Sequence, residues 1–139
     1  KLPEKTASEF TEDGFFITGD LATLSEDGYV SIVGRGKDLV ISGGLNIYPK
    51  EIEDVLNDIE GIVESAVVGV PHADFGEGIV AVLVCSTPPD LAHIEAVCRK
   101  KLAAFKLPRS WHVVEALPRN TMGKVQKNLL RDEYQSDFS

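Results

Sequence analysis

In 139 residues, 22 acidic side chains stand against 14 basic ones, a formal net charge of -8, and no stretch clusters Lys and Arg with aromatics, which argues against a nucleic-acid partner. With 43% hydrophobic and 26% charged residues, the composition is that of a globular chain with one core, or one core plus a fragment of another. The longest apolar run, "IVAVLVC" at 79–85, falls far short of the roughly 20 residues that cross a bilayer.

In chain order, "LATLSEDGYVSIV" at 21–33 sets two short apolar runs around Asp27-Gly28, a strong hairpin signal. This stretch has too few apolar residues for a core of its own. "DLVISGG" at 38–44 reads as a strand running into a glycine turn. Pro49 then opens a helix with Ile52, Val55, Leu56 and Ile59 on one face; proline suits the first helical position because that N–H has no partner anyway. Two strands, 64–70 and 79–85, are expected on either side of "PHADFGEG", a loop rich in breakers.

Asp90 is the expected N-cap of a second helix, with Ile94, Val97, Cys98, Leu102 and Phe105 inward, ending before Pro108. "SWHVVEAL" at 110–117 supplies a further short strand, and the last helix is expected from about Thr121 to Tyr134. The sum is an α+β module, a small mixed sheet flanked by helices, preceded by a β-hairpin tail. Cys85 and Cys98 read as core residues. With no CxxC and with His72, His93 and His112 scattered, no metal site is expected. The start carries no signal-peptide pattern, so a cytoplasmic, reducing compartment is the default.

"PRNTMGKVQKNLLR" at 118–131 places Gly123 and Lys124 on a short polar loop. A nucleotide-cradling P-loop is excluded, because Pro118 stands where its first glycine belongs and Val125 where its Ser or Thr belongs. On local sequence alone, a solvated lysine is the plain alternative.

Three stretches together resemble, in order and spacing, the last three signature motifs of the adenylate-forming superfamily: "ITGD" at 17–20, "GRGKDLVISGGLNIYPKEIE" at 34–53 and "LPRNTMGKVQKN" at 117–128. Within it, the wording most resembles malonyl-CoA synthetases. The resemblance implies two half-reactions, in which a carboxylate and ATP give an acyl-adenylate and pyrophosphate, and coenzyme A then displaces AMP.

It further implies a role for each matching residue. Asp20 would accept hydrogen bonds from the ribose hydroxyls, and Arg35 would reach ribose or phosphate oxygens. Lys37 would be the hinge, and Ser42, Gly43 and Gly44 would line the tunnel for the pantetheine arm. Lys124 would enter the active site for adenylation. The local alternatives are a turn aspartate, solvated charges in a glycine-rich turn, and a Gly-Gly pair that is only a turn. Leu45 stands where some acetyl-CoA synthetases carry an arginine, so no CoA-phosphate contact is carried over to it.

By the same resemblance, residues 1–37 would end a large N-terminal domain and 38–139 would form a mobile C-terminal lid. ATP, Mg2+ and coenzyme A would be substrates of the full enzyme, with no Mg2+ site in this chain. The implied partners are the ATP-binding domain that precedes "ITGD" in the family, a small carboxylic acid, and a protein lysine acetyltransferase and deacetylase acting on Lys124. The isolated chain would be inactive. The alternatives are another medium-chain or aryl acyl-CoA synthetase, or a non-catalytic binding or regulatory module with the lid fold.

Overall fold

The structure, a computed structural model, describes residues 20–24 and 30–35 by their backbone and residues 38–139 in full. The chain divides into two compact units, Lys1–Lys37 and Asp38–Ser139. In the first, β1 (Asp20–Leu24) pairs antiparallel with β2 (Val30–Arg35), with a register shift after Leu21. The alternating apolar runs do form a hairpin, while its Asp27-Gly28 turn lies outside the described residues.

The second unit opens with β3 (Val40–Ser42) and β4 (Leu45–Ile47), joined by Gly43-Gly44 at φ 59° and 80°. Two successive positive φ values are those of a type I′ turn, whose twist matches a two-residue hairpin. The return strand β4 was not expected from the sequence. Three residues are too few to display a period of two, and it is the double glycine that folds them back.

Helix α1 (Pro49–Asn57) buries Pro49, Ile52 and Leu56, as the spacing requires. Ile59 lies past its end, packed at the margin of the same core. Long strands β5 (Ile62–His72) and β6 (Gly76–Cys85) follow, in one antiparallel hairpin. The expected eight-residue loop shrinks to 73–75, because pairing runs through Pro71 opposite Glu77. Strand β5 has no second strand neighbour among the described residues, and an edge strand tolerates a proline that cannot donate to a ladder.

Asp90 caps α2 (Leu91–Lys101), its Oδ1 accepting from the His93 N–H at 3.2 Å. Ile94, Cys98 and Leu102 point inward. Phe105 does not. The helix ends at Lys101, a single 3-10 turn at Ala104–Lys106 breaks the period, and the ring is left 41% exposed. Strand β7 (Ser110–Val113) lies parallel to β6, which makes the sheet mixed, in the order β4-β3-β6-β5 with β7 also against β6. Helix α3 spans Lys127–Tyr134, six residues shorter at its start than the sequence suggested, because 119–126 is held as a loop.

Three layers result. Val67, Ile79, Ala81 and Leu83 face α1 and α2, with Ile52, Leu56, Ile94 and Cys98 between the layers. Ala66, Val68, Val70, Val80 and Val82 face the other way, onto Leu117, Leu130 and Tyr134. Strands covered on both faces read as unbroken apolar runs, which accounts for "AVVGV" and "IVAVLV". Cys98 is buried in this core, whereas Cys85 is only partly covered at its margin.

Candidate active site

Lys124 sits on a loop whose backbone is fixed almost atom by atom. Its legs are joined by the Arg119–Val125 bridge and by the Gln126 N–H donating to the Pro118 carbonyl at 2.8 Å. Between them, Asn120 Oδ1 accepts from the N–H groups of Met122 and Lys124 at 2.9 and 3.0 Å. The Asn120 N–H donates to the Lys124 carbonyl at 2.9 Å, and Gly123 turns the chain at φ 81°. Lys124 itself is exposed, and no group among the described residues holds its ammonium. The backbone is ordered; the charge is left free for something else.

The second loop is the Gly43-Gly44 turn. Ser42, buried at the end of β3, pairs with Gly76, and the Gly43 N–H donates to the Phe75 carbonyl at 2.8 Å. A Cβ on Gly43 would touch the Phe75 ring at 3.6 Å, whereas a Cβ on Gly44 would meet nothing within 4 Å among the described residues. Beside it, the Arg109 guanidinium lies 4.3 Å from the centre of the Phe75 ring, a cation on an aromatic face. Sequence reading did not find Phe75 and Arg109: 34 positions separate them, and β6 brings them together. The one local signal is an aromatic residue among the breakers of "PHADFGEG".

The two loops lie at opposite ends of the β5–β6 hairpin. Arg119, on the lysine loop, pairs with Glu64, which stands opposite Val84. Ser42 meets Gly76, which stands opposite His72. From residue 64 to residue 72 an extended strand runs about 26 Å, at roughly 3.3 Å per residue. In the first unit, Asp20 and Arg35 are register partners at the open end of the β1–β2 hairpin. Lys37 lies outside the described residues.

A Ser-His-Asp cluster elsewhere invites a catalytic reading that its geometry refuses. Ser110 Oγ at 3.2 Å and Asp137 Oδ2 at 2.6 Å both meet His112 Nε2, and the serine donates directly to the aspartate at 2.7 Å. A catalytic triad needs hydroxyl and carboxylate on different ring nitrogens. Here the cluster fastens the tail after α3 to β7, with His112 also stacked on Tyr134 at 3.9 Å.

Partial burial alone would raise the Asp137 carboxyl, but bonds from Ser110 and His112 and the histidine charge hold it below the usual aspartate value. A lowered folded-state pKa stabilises the fold above the unfolded value, about 3.9, and that share is lost as pH falls through the folded value. Thermal unfolding should therefore show a loss of stability below about pH 4 that Asp137→Asn removes.

Residues 51–124 match the AMP-binding enzyme C-terminal domain family. The chain belongs to that family. Among solved structures, ATP-bound MatB from Rhodopseudomonas palustris is 56% identical with a TM-score of 0.88, matching all of this chain and 28% of that one. A 3-[(3aS,4S,7aS)-7a-methyl-1,5-dioxo-octahydro-1H-inden-4-yl]propanoyl:CoA ligase of Rhodococcus jostii is 48% identical over 94% of this chain and 26% of its own length. The 2-succinylbenzoate–CoA ligase of Listeria monocytogenes is 41% identical over 96% of this chain and 29% of its own. These relatives are acyl-CoA ligases, and this AMP-binding C-terminal domain chain spans little more than a quarter of them. The mixed α+β fold read from the sequence is the fold of that domain.

Proposed function

We propose that this chain is the C-terminal part of an AMP-forming acyl-CoA synthetase acting on malonate or a related short-chain acid. The observation that carries the reading is the placement of the lysine loop and the glycine turn at opposite ends of one continuous hairpin. Two loops about 26 Å apart along a strand cannot serve one reaction centre at once. They can serve it in turn if the domain rotates between steps.

In the first step, a carboxylate oxygen attacks the α-phosphorus of ATP, the P–O bond forms, and the bond to the β-phosphate breaks to release pyrophosphate. Negative charge on the phosphoryl oxygens grows at the transition state, and Lys124 supplies a compact cation there. In the second, the thiol sulfur of coenzyme A attacks the acyl carbon, a C–S bond replaces the C–O bond, AMP leaves with the electron pair, and the thiol proton passes to solvent. Ser42, Gly43 and Gly44 let the pantetheine arm pass close to backbone. Arg109 on Phe75 offers a charged, flat surface to the phosphate-bearing end. Asp20 and Arg35 hold the ribose and phosphates, and Lys37 is the pivot. Mg2+ accompanies ATP, and no residue of this chain is assigned to it.

The malonate assignment is supported by 56% identity to MatB, a malonyl-CoA synthetase, while ligases of other acids are also relatives. The large ATP-binding domain that would precede this segment holds the acyl pocket, so the test is run on the complete synthetase. Its kcat/KM should be highest for malonate among malonate, 2-succinylbenzoate and a long-chain fatty acid. A preference for either other acid would end the malonate reading, and absence of acyl-CoA formation from any acid would favour a non-catalytic lid-fold module. We place the enzyme in the cytoplasm. There, a protein lysine acetyltransferase and a deacetylase would find Lys124 on an exposed loop.

A further inference from the structure

We propose that Arg119 is a positioning residue for Lys124, one guanidinium that ties the lysine loop to the sheet. The inference rests on the adenylation role proposed for Lys124. A catalytic group must be held within about 0.5 Å of its productive place by partners that are themselves fixed. Most of the bonds that shape this loop are internal to it: those of Asn120, and the bond from Gln126 to Pro118, would survive a swing of the whole loop. Arg119 is different. Its Nη1 donates to the Gly123 carbonyl at 2.7 Å, the residue just before Lys124, while its Nη2 pairs with Glu64 on β5, 55 positions away in the chain.

The geometry demands a guanidinium. Two donors in one rigid plane can hold a carboxylate and a carbonyl together, whereas a lysine at the same place offers one nitrogen. The trailing leg of the loop is pinned separately, by Lys127 Nζ on Glu53 Oε1 at 2.6 Å, and that same oxygen accepts the Val67 N–H of β5 at 2.9 Å. Both anchors are carboxylates tied to β5, Glu64 as a residue of that strand and Glu53 through its bond from the Val67 N–H. The leading anchor is the one that touches the peptide next to Lys124. It is also well exposed, at 44% for Arg119 and 29% for Glu64. An exposed pair contributes little to stability, so its loss should show as misplacement and not as unfolding.

The test runs both half-reactions of the complete synthetase on Arg119→Met, Arg119→Lys, Glu64→Gln and Lys124→Ala. Displacing a reacting group by about 1 Å can cost on the order of 10²-fold, so Arg119→Met should lower the adenylation kcat by about tenfold or more. Thioester formation from supplied acyl-adenylate should stay within about twofold, and the unfolding midpoint should hold, because the exposed pair adds little to stability. Arg119→Lys and Glu64→Gln, which each keep part of the bridge, should lose less, and in the same half-reaction. Parallel loss in both half-reactions would make Arg119 a folding residue and overturn the inference. So would intact adenylation in Arg119→Met beside lost adenylation in Lys124→Ala. Intact adenylation in Lys124→Ala itself would instead remove the underlying reading, and this inference with it, a result distinguishable because it needs no Arg119 variant.

Discussion

Lys124→Ala in the complete synthetase should lower acyl-adenylate formation by about 10² to 10³-fold, on the order of 3 to 4 kcal/mol, while thioester formation from supplied acyl-adenylate survives. The magnitude is that of removing one preorganised electrostatic contact. The selectivity follows from the fold. Lys124 lies at the Glu64 end of the β5–β6 hairpin and the glycine turn at the Gly76 end. On the proposed roles, the lysine is withdrawn from the phosphate when the turn lines the thiol's approach. Acetylation of the ε-amine removes the same charge without altering the loop backbone, so chemically acetylated enzyme should reproduce the alanine variant. The two half-reactions, measured separately on the wild type and both altered enzymes, decide it. If thioester formation fell as far as adenylation, Lys124 would be structural and the alternation would have no basis.

Much of this arrangement is legible in the residues themselves. The spacing of Ile52 and Leu56 gives α1, Asp90 announces α2, and the apolar runs of β5 and β6 declare strands covered on both faces. What the sequence hides is of two kinds. Short or overridden elements escape local reading: β4 has three residues, Pro71 continues a strand because that strand is an edge, and 119–126 stays out of α3 because Arg119 and Asn120 occupy its backbone. Contacts between distant positions escape it altogether. Neither the Arg119–Glu64 pair nor the approach of Arg109 to Phe75 has any signature in periodicity: the first joins a loop to β5 across 55 positions, and the second is made where β7 runs beside β6. Lys124 could be singled out from its motif, whereas the residue that holds its loop could not.

Gly44→Asn should reduce CoA-dependent turnover by about 10²-fold, the scale of a reacting group held out of place, and leave adenylation nearly unchanged. Asparagine is chosen because of the backbone. Gly44 stands at φ 80°, where an ordinary side chain costs about 1 to 2 kcal/mol whatever the space around it. A bulky Gly44→Leu would therefore confound a blocked passage with a strained turn. Asn visits this conformation more readily than other side chains, so the β3–β4 hairpin should keep its shape. A Cβ there meets no atom of the described residues within 4 Å, so the C-terminal unit offers no steric objection to it. On the proposed reading, what the added side chain obstructs is the pantetheine arm. Gly44→Ala serves as the control for strain, since it carries the backbone cost with the smallest obstruction. If the turn lines the path of the pantetheine arm, Asn should harm thioester formation more than Ala does, although Ala is the more strained. If Gly43-Gly44 is only a hairpin turn, the order reverses, and activity in both half-reactions follows the unfolding midpoint.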